Sequence, residues 1–416
     1  MARRILVVGA GQSGLQLALG LQQHDYDVTV MSARTADEIR GGRVMSTQAM
    51  FHRALKIERD LGLNFWEDEC PKYDHHVYTL RSPDGGLVLD YAGQFTDYAQ
   101  SVDQRVKMSG WLEEFENRGG KVVIHGVTVS DLDRLVPMYD LTIVAAGKGE
   151  LVRMFGRNPG RSPYTQPQRS LAVAYVHGMG KRPDYPDIDA VYIDIVAGLG
   201  EMYVIPGLTT TGPCDILLVE GVPGGEFDSF SGARTGEEVL RRILDLRDKY
   251  SPQNRERTRN VGLTDCGGFL TGRYTPVVRY PVGRLPGGGI VLGMADVVVA
   301  NDPITGQGSN NAAHCAAIYQ QAILDHGDRP FDEEFMEQTF GKYWDYAQYV
   351  TIFTNAFLQP PPPHVMELLI AGTEHKEIRD RFTEGFAYPP DFFDWFMDPE
   401  KARAYLAEVT GRDNPP

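Results

Sequence analysis

The feature that most constrains this chain is a glycine pattern between a buried strand and a helix. Ile5 to Val8 is a short apolar run, consistent with a strand covered on both faces. Gly9-Ala10-Gly11-Gln12-Ser13-Gly14 follows directly, then an apolar helix through Leu15, Leu19 and Leu21, and then a second strand, Asp27 to Met31. That is a complete βαβ unit. In it Gly9 serves a tight turn, Gly11 lets a diphosphate approach the backbone, and Gly14 brings helix and strand together. Gln12 and Ser13 open the helix, whose N–H groups and positive dipole end face the same diphosphate. The pattern predicts a Rossmann-type dinucleotide site.

An Asp or Glu usually ends the second strand of such a site and holds the ribose. Here the strand runs into Met31-Ser32-Ala33-Arg34. Ser32 can bond a ribose hydroxyl, and Arg34 can meet an NADP 2′-phosphate. The first motif alone therefore leaves FAD and NADP both open.

Further strand–helix alternation, at Trp111 to Asn117, Lys121 to Ile124 and Leu141 to Ala145, predicts a parallel sheet. The middle differs. Leu171 to Val176, Ala190 to Val196, Glu201 to Ile205 and Asp215 to Glu220 are short strand-like runs broken by Gly and Pro, suggesting an antiparallel sheet. Glu237 to Tyr250 reads as a helix. The parallel pattern returns at Gly289 to Gly293, with a helix from about Ser309 to His326, and the last stretch is helical with a break at Pro360 to Pro363. The expected fold is α/β: an FAD-binding domain split over 1–160 and 270–330, a β-rich substrate domain at 161–269, and a helical region at 331–416.

The second half selects FAD. Gly293-Met294-Ala295-Asp296, then Asp302-Pro303-Ile304-Thr305-Gly306-Gln307-Gly308-Ser309-Asn310, resembles the flavoprotein hydroxylase pattern. Asp296 would bond the ribityl hydroxyls, Gly306 and Gly308 would bring the backbone close, and the following helix N-terminus would face the pyrimidine end of the flavin.

With both motifs in place, the chain resembles the styrene monooxygenase and indole monooxygenase family of two-component flavoproteins, with a fold like p-hydroxybenzoate hydroxylase. The resemblance runs through Gln23-His24-Asp25, Gly42-Arg43, Thr47, Arg118-Gly119-Gly120-Lys121, Gly147-Lys148, Asp302-Pro303, Asn355, Phe357 and Tyr388-Pro389. It implies FAD reduced by a separate NADH-dependent flavin reductase; a C4a-hydroperoxide formed with O₂ would then epoxidise a small aromatic alkene. The chain has no second G-x-G-x-x-G opening a helix, in keeping with that division. The resemblance also places Arg43, Arg105, Val127 and Gly147 at the cofactor. It places Ser46, Thr47, Gln48, Met50, His76, Ala99 and Pro303 in the pocket beside the flavin. Ser46, Gln48, Met50 and Ala99 match indole-type members, whereas Tyr73 and His76 match styrene-type ones. The expected substrate is indole, oxidised to indoxyl and so to indigo, with styrene also accepted. Gln48 is the candidate to steer the indole N–H.

Epoxidation of this kind requires no acid–base residue, and no Ser-His-Asp or paired-carboxylate arrangement stands out. No metal is expected: His75-His76 lacks a companion at ligand spacing. The four cysteines share no Cys-x-x-Cys spacing. A net charge of −15 argues against nucleic acid or an anionic membrane as partner. No apolar run reaches the ~20 residues of a membrane span, so a soluble cytoplasmic enzyme is expected; a homodimer is compatible with this. The rivals are a one-component NAD(P)H-dependent aromatic hydroxylase, a flavin halogenase (its Trp-x-Trp-x-Ile-Pro segment is missing), and a non-catalytic flavin-binding sensor or carrier.

Overall fold

The computed structural model describes residues 2–147 and 149–411; Lys148, named in the resemblance above, lies outside them. Arg4–Val8 sits at the middle of a six-stranded sheet, with Ile5, Leu6 and Val7 fully buried. Asp27–Ser32 and then Lys121–Ile124 flank it on one side; Leu141–Val144 and then Ile290–Gly293 flank it on the other. These five strands are mutually parallel, and Val282–Arg284 closes the edge as an antiparallel partner of Ile290–Gly293. A sheet covered on both faces demands continuous apolar strands, and these runs supply them. Ile290–Gly293 joins Leu141–Val144 across more than 140 residues of intervening chain, so the dinucleotide sheet is assembled from two separated segments.

The intervening chain builds a second, nine-stranded sheet. Its antiparallel centre is Ser170–His177, Gly212–Gly221, Gly200–Thr209 and Ala190–Val196, each within a few residues of the run read from the sequence. It also recruits the long hairpin Tyr73–Arg81 and Leu87–Ser101, which comes from the N-terminal segment. Tyr73–Arg81 pairs in parallel with Ala190–Val196, so the sheet is mixed rather than purely antiparallel. The two strands are joined by a long crossover rather than a hairpin, which permits parallel pairing.

The C-terminal helices Glu333–Phe357, Pro363–Ala371, Lys376–Ala387 and Pro399–Thr410 pack an aromatic cluster (Phe353, Phe382, Phe386, Phe392, Phe396) against the second sheet. Gly93 makes this possible: a Cβ there would lie 2.1 Å from Thr383 Oγ1 and 2.4 Å from the Arg379 carbonyl oxygen. No helix among the described residues is long and apolar enough to cross a membrane.

Candidate active site

The glycines of the first motif behave as three different objects. Gly9 holds φ +123°, and a Cβ on it would meet the Ala146 nitrogen at 2.8 Å. A Cβ on Gly14 would lie 2.2 Å from the Gly9 carbonyl oxygen, so only hydrogen permits the helix to seat there. Gly11 has nothing within 4 Å of where a Cβ would be: its space is open toward solvent or a ligand. It also begins helix Gln12–Gln22 with no side-chain cap, which leaves the first-turn N–H groups for an anion.

The second motif begins another uncapped helix, Gly308–His326. The two helices pack directly. Gln16 Nε2 donates to the Ala313 carbonyl at 3.0 Å, and Gly20 abuts Gln320. Contacts 16 to 313 and 20 to 320 ascend together, so the helices run parallel and their positive ends lie on the same side. Ala145 and Ala146 touch Gly9, and the next residue, Gly147, would drive a Cβ to 2.9 Å from Asp296 Cβ. The two motifs therefore converge on one trough. Gln307 Oε1 and Asn311 Oδ1, both buried at its far end, have no hydrogen-bond partner among the described residues. Open glycine space, paired helix ends and orphaned acceptors fit a long, anionic, hydrogen-bonding cofactor such as FAD.

Several side chains assigned to the cofactor from the sequence have other partners. Gln12 Nε2 donates to Glu58 at 2.9 Å, within a buried ion pair of Glu58 with Lys107 at 2.8 Å; its place at the trough is through its backbone. The Ser32 hydroxyl donates to the Arg34 carbonyl at 2.5 Å. Arg34 is exposed beside Met45, and Arg43 is exposed over the Phe269 ring of the second sheet. Arg105 must be corrected outright. Its five N–H groups go to Asp103, to both oxygens of Asp265, to Thr209 and to the Gly42 carbonyl, leaving none for a phosphate. Val127 is half-buried in the loop after Lys121–Ile124, packed against the first core. Asn310 spans the trough floor: its Nδ2 donates to the Ala49 and Gly306 carbonyls, and its Oδ1 accepts from Phe51 N–H. Ser309 is buried beside it and Gly308 has open space.

A cavity of about 850 Å³ lies between the second sheet and the C-terminal helices, and Pro303 to Gly306 of the second motif form part of its wall. Thr47, His76 and Pro303 line it. Ser46, Gln48 and Met50 are not among its lining residues. Ser46 donates to Gln48 Oε1 at 2.9 Å and Gln48 Nε2 donates to Tyr175 Oη at 2.5 Å, while Met50 Sδ sits 3.2 Å from Lys107 Nζ. Gln48 adopts φ +38°, so the segment turns and presents Thr47, Ala49 and Phe51 to the cavity instead. Ala99 is buried opposite Tyr73 in the hairpin and is likewise not in the wall. The sequence reading missed Phe51, Tyr78, Tyr203 and Phe386, which the wall includes. Phe386 carried no local signal, because a helix some 300 residues away contributes it.

Comparison with known proteins agrees with this geometry. Residues 147–257 match the family model for the substrate binding domain of styrene monooxygenase A. Styrene monooxygenase StyA of Pseudomonas fluorescens is 32% identical over 412 residues, covering 96% of this chain and 97% of that protein. A StyA from a Pseudomonas species is 32% identical over 419 residues, covering 98% of each. The chain belongs to the styrene monooxygenase family. Among solved structures, a triple mutant of the flavin-dependent brominase Bmp2 superposes with a TM-score of 0.65 at 13% identity, covering 98% of this chain and 99% of that one. At that identity the likeness is one of fold.

Two groups of polar side chains start in the wall of this styrene monooxygenase family cavity, at Arg169, Glu201 and Tyr203 and at His76 and Tyr78, and continue behind it. In the first, Arg169 makes a bidentate pair with Glu201 at 2.8 and 2.9 Å. Glu220 lies directly across the ladder from Glu201 and is fully buried, with Asp302 beside it. Burial, reinforced by Asp302 and Glu201, raises Glu220 well above the usual carboxylate range. Burial also raises Asp302, against the hydrogen bond it accepts from Ile304 N–H at 3.2 Å. Tyr203 OH donates to the Ile304 carbonyl at 3.0 Å, so the turn that carries Pro303 is gripped from both sides. The second group is His76 with Tyr78 and Thr383, and burial pushes the imidazole down to about 3, keeping it neutral at physiological pH.

Proposed function

We propose that this chain is the oxygenase component of a two-component FAD-dependent monooxygenase that epoxidises a small aromatic alkene, with indole as the preferred substrate. The observation that carries this reading is the cavity itself: a mainly apolar chamber whose wall includes the Pro303–Gly306 turn of the flavin motif. FAD would be held by the backbone at Gly11 to Gly14, by the Gly147 and Asp296 loops, and by the start of helix Gly308–His326. When bound and reduced, it supplies activation of O₂ for transfer of one oxygen atom to the alkene.

The chain's own residues then have three tasks. Phe51, Tyr78 and Phe386 exclude water and stack around a flat substrate. The Asp302 and Tyr203 hydrogen bonds fix the turn between cavity and cofactor. No side chain needs to exchange a proton with substrate, which suits a mainly apolar wall. The preference for indole rests on the match of Ser46, Gln48, Met50 and Ala99 to indole-type members; these four bond or pack outside the cavity wall, and His76, which matches styrene-type members, lines it.

The test is direct. The purified chain, given FAD, NADH and an added flavin reductase, should consume oxygen on adding styrene or indole and form styrene oxide or indigo. Without the reductase it should do neither. Turnover on NADPH alone would establish the one-component alternative. Tight FAD binding with no substrate-dependent product under reduced FAD and air would leave only a flavin carrier.

A further inference from the structure

The cavity is longer than a bicyclic substrate needs. Its floor is the second sheet, where the alternate residues His76, Tyr78, Leu80 and Ser82 all line it. The ladder sets them in rows: His76 beside Val191, Tyr78 beside Ile193 and Tyr203, Leu80 beside Ile195 and Glu201. His76 to Ser82 is six residues of extended chain, a run of ~20 Å. Styrene or indole covers only ~7 Å, about two residues' rise. The flavin motif meets one end of this run. Tyr203 OH donates to the Ile304 carbonyl at 3.0 Å, and a Cβ on Gly306 would lie 3.8 Å from Ala49 and Phe51, whose ring is 5.9 Å from His76. His76 and Tyr78 are buried there; Leu80 and Ser82 are half-buried, and Pro83 is exposed. Ala197, Gly198 and Pro223, exposed residues of the wall, mark the opening at that outer end.

The outer stretch is an apolar groove. Leu80 and Ile195 line it from the sheet, and Met366 and Leu369 of helix Pro363–Ala371 line it from above. That helix lies over these rows, since a Cβ on Gly372, just past its end, would be 3.3 Å from Tyr91, which pairs with Tyr78. The polar side chains of the wall are spent on one another or on the backbone. Arg169 pairs with Glu201, Arg81 donates to the Gly85 carbonyl and Gln253, and Ser82 donates to the Gly86 carbonyl. Arg81 Nε and His364 Nε2 have no partner among the described residues, but both atoms are covered by their neighbours and offer a ligand no surface. Pro360 to Pro362 stiffen the wall, with Pro362 in the polyproline region at φ −68° and ψ 161°, so the groove is preformed.

We infer that this outer groove takes a linear apolar substituent of the substrate. The alkene lies at the Pro303–Gly306 end, and a second ring or an alkyl chain runs along Leu80 and Ile195 toward the opening. This rests on the aromatic-alkene reading of the cavity and extends its substrate class to elongated arenes; styrene and indole fill only the inner rows. A substituent that follows the groove buries its apolar surface, whereas one that leaves the ring at an angle meets the floor or the helix.

The experiment sets 4-vinylbiphenyl against 3-vinylbiphenyl, equal in area and differing in the direction of the second ring. Both are given together, at equal low concentration, to the native protein with FAD, NADH and an added flavin reductase. The ratio of the two epoxides then reads the ratio of kcat/KM. The linear isomer should be favoured by about tenfold or more. Ile195→Trp fills the groove from the sheet and Met366→Trp fills it from the helix; each should lower the ratio to about two- or threefold. A native ratio near one, or a native-like ratio in both FAD-retaining variants, would overturn the assignment. Loss of both epoxides together at an unchanged ratio would also overturn it, because the groove would then be only an entry path. Styrene turnover by the native protein reads the reaction class separately: if styrene is epoxidised while the ratio is one, the reaction stands and the groove falls. The saturated 4-ethylbiphenyl should also raise the Tm of the FAD-loaded protein more than 3-ethylbiphenyl does, and equal shifts would refute the groove even if no alkene were oxidised.

Discussion

Gly11 and Gly14 belong to one motif, yet the structure separates them into a ligand contact and a packing contact. A Gly14→Ala methyl would lie 2.2 Å from the Gly9 carbonyl oxygen, more than 1 Å inside a close C···O contact of ~3.3 Å. The obstacle is backbone, which cannot swing aside, so helix Gln12–Gln22 must withdraw from the strand. That helix buries Leu15, Leu17, Leu19 and Leu21 completely. Overpacking of this kind costs ~1–3 kcal/mol, offset by up to ~1 kcal/mol from the better helix propensity of Ala. Tm should fall by several degrees at ~2–4 °C per kcal/mol. Gly11→Val meets none of this: φ is −94° and no atom lies within 4 Å of the added Cβ. Its Tm without cofactor should stay within ~2 °C of native. Its branched side chain instead occupies the space over the helix N-terminus. Losing one or two charge-assisted hydrogen bonds, at ~1.5–3 kcal/mol each, should weaken FAD binding by at least ~10-fold. Differential scanning fluorimetry reads the first quantity and fluorescence titration of the apoprotein with FAD reads the second. Native FAD affinity in Gly11→Val would refute the placement of the diphosphate, and an unchanged Tm in Gly14→Ala would refute the packing argument.

Three further outcomes follow from other contacts. Lys107→Met strands the fully buried Glu58 carboxylate and should cost ~3–5 kcal/mol in urea unfolding, most of it recovered by adding Glu58→Leu; a double variant no better than the single would contradict this. Gly93→Ala should lower Tm, because its methyl overlaps Thr383 and Arg379; a native Tm would count against it. His76 has a folded pKa of about 3, below the unfolded value near 6.5, so between those limits the unfolded chain binds more protons. Its stabilising contribution is complete above pH ~6.5 and falls with acidification by up to ~1.4 kcal/mol per pH unit. Between pH 6.5 and 5, His76→Phe should therefore show a shallower loss of stability than native, and parallel curves would show that the ring is protonated in the folded protein.

What the sequence determined by itself was whatever one stretch of backbone can enforce alone. Gly9, Gly11 and Gly14 specify a turn, an opening and a seat for a helix, and the Gly306–Gly308 stretch specifies an uncapped helix start. These are properties of φ, ψ and missing Cβ atoms, so they survive in any context that forms the strand. The parallel and antiparallel runs were legible for the same reason, since burial on one or two faces writes a period into the chain. Side-chain destinations were not legible. Arg105 was expected at a phosphate, but Asp265, 160 residues away, takes its guanidinium. Ser46, Gln48 and Met50 were expected to face the flavin pocket, but the positive φ at Gln48 turns the segment, and Tyr175 on the second sheet holds the amide. About a third of the cavity wall comes from the C-terminal region, whose packing depends on the absence of a side chain at Gly93. Local backbone conformation is short-ranged and can be read residue by residue, whereas a hydrogen bond or a cavity needs partners that only the folded chain brings within reach.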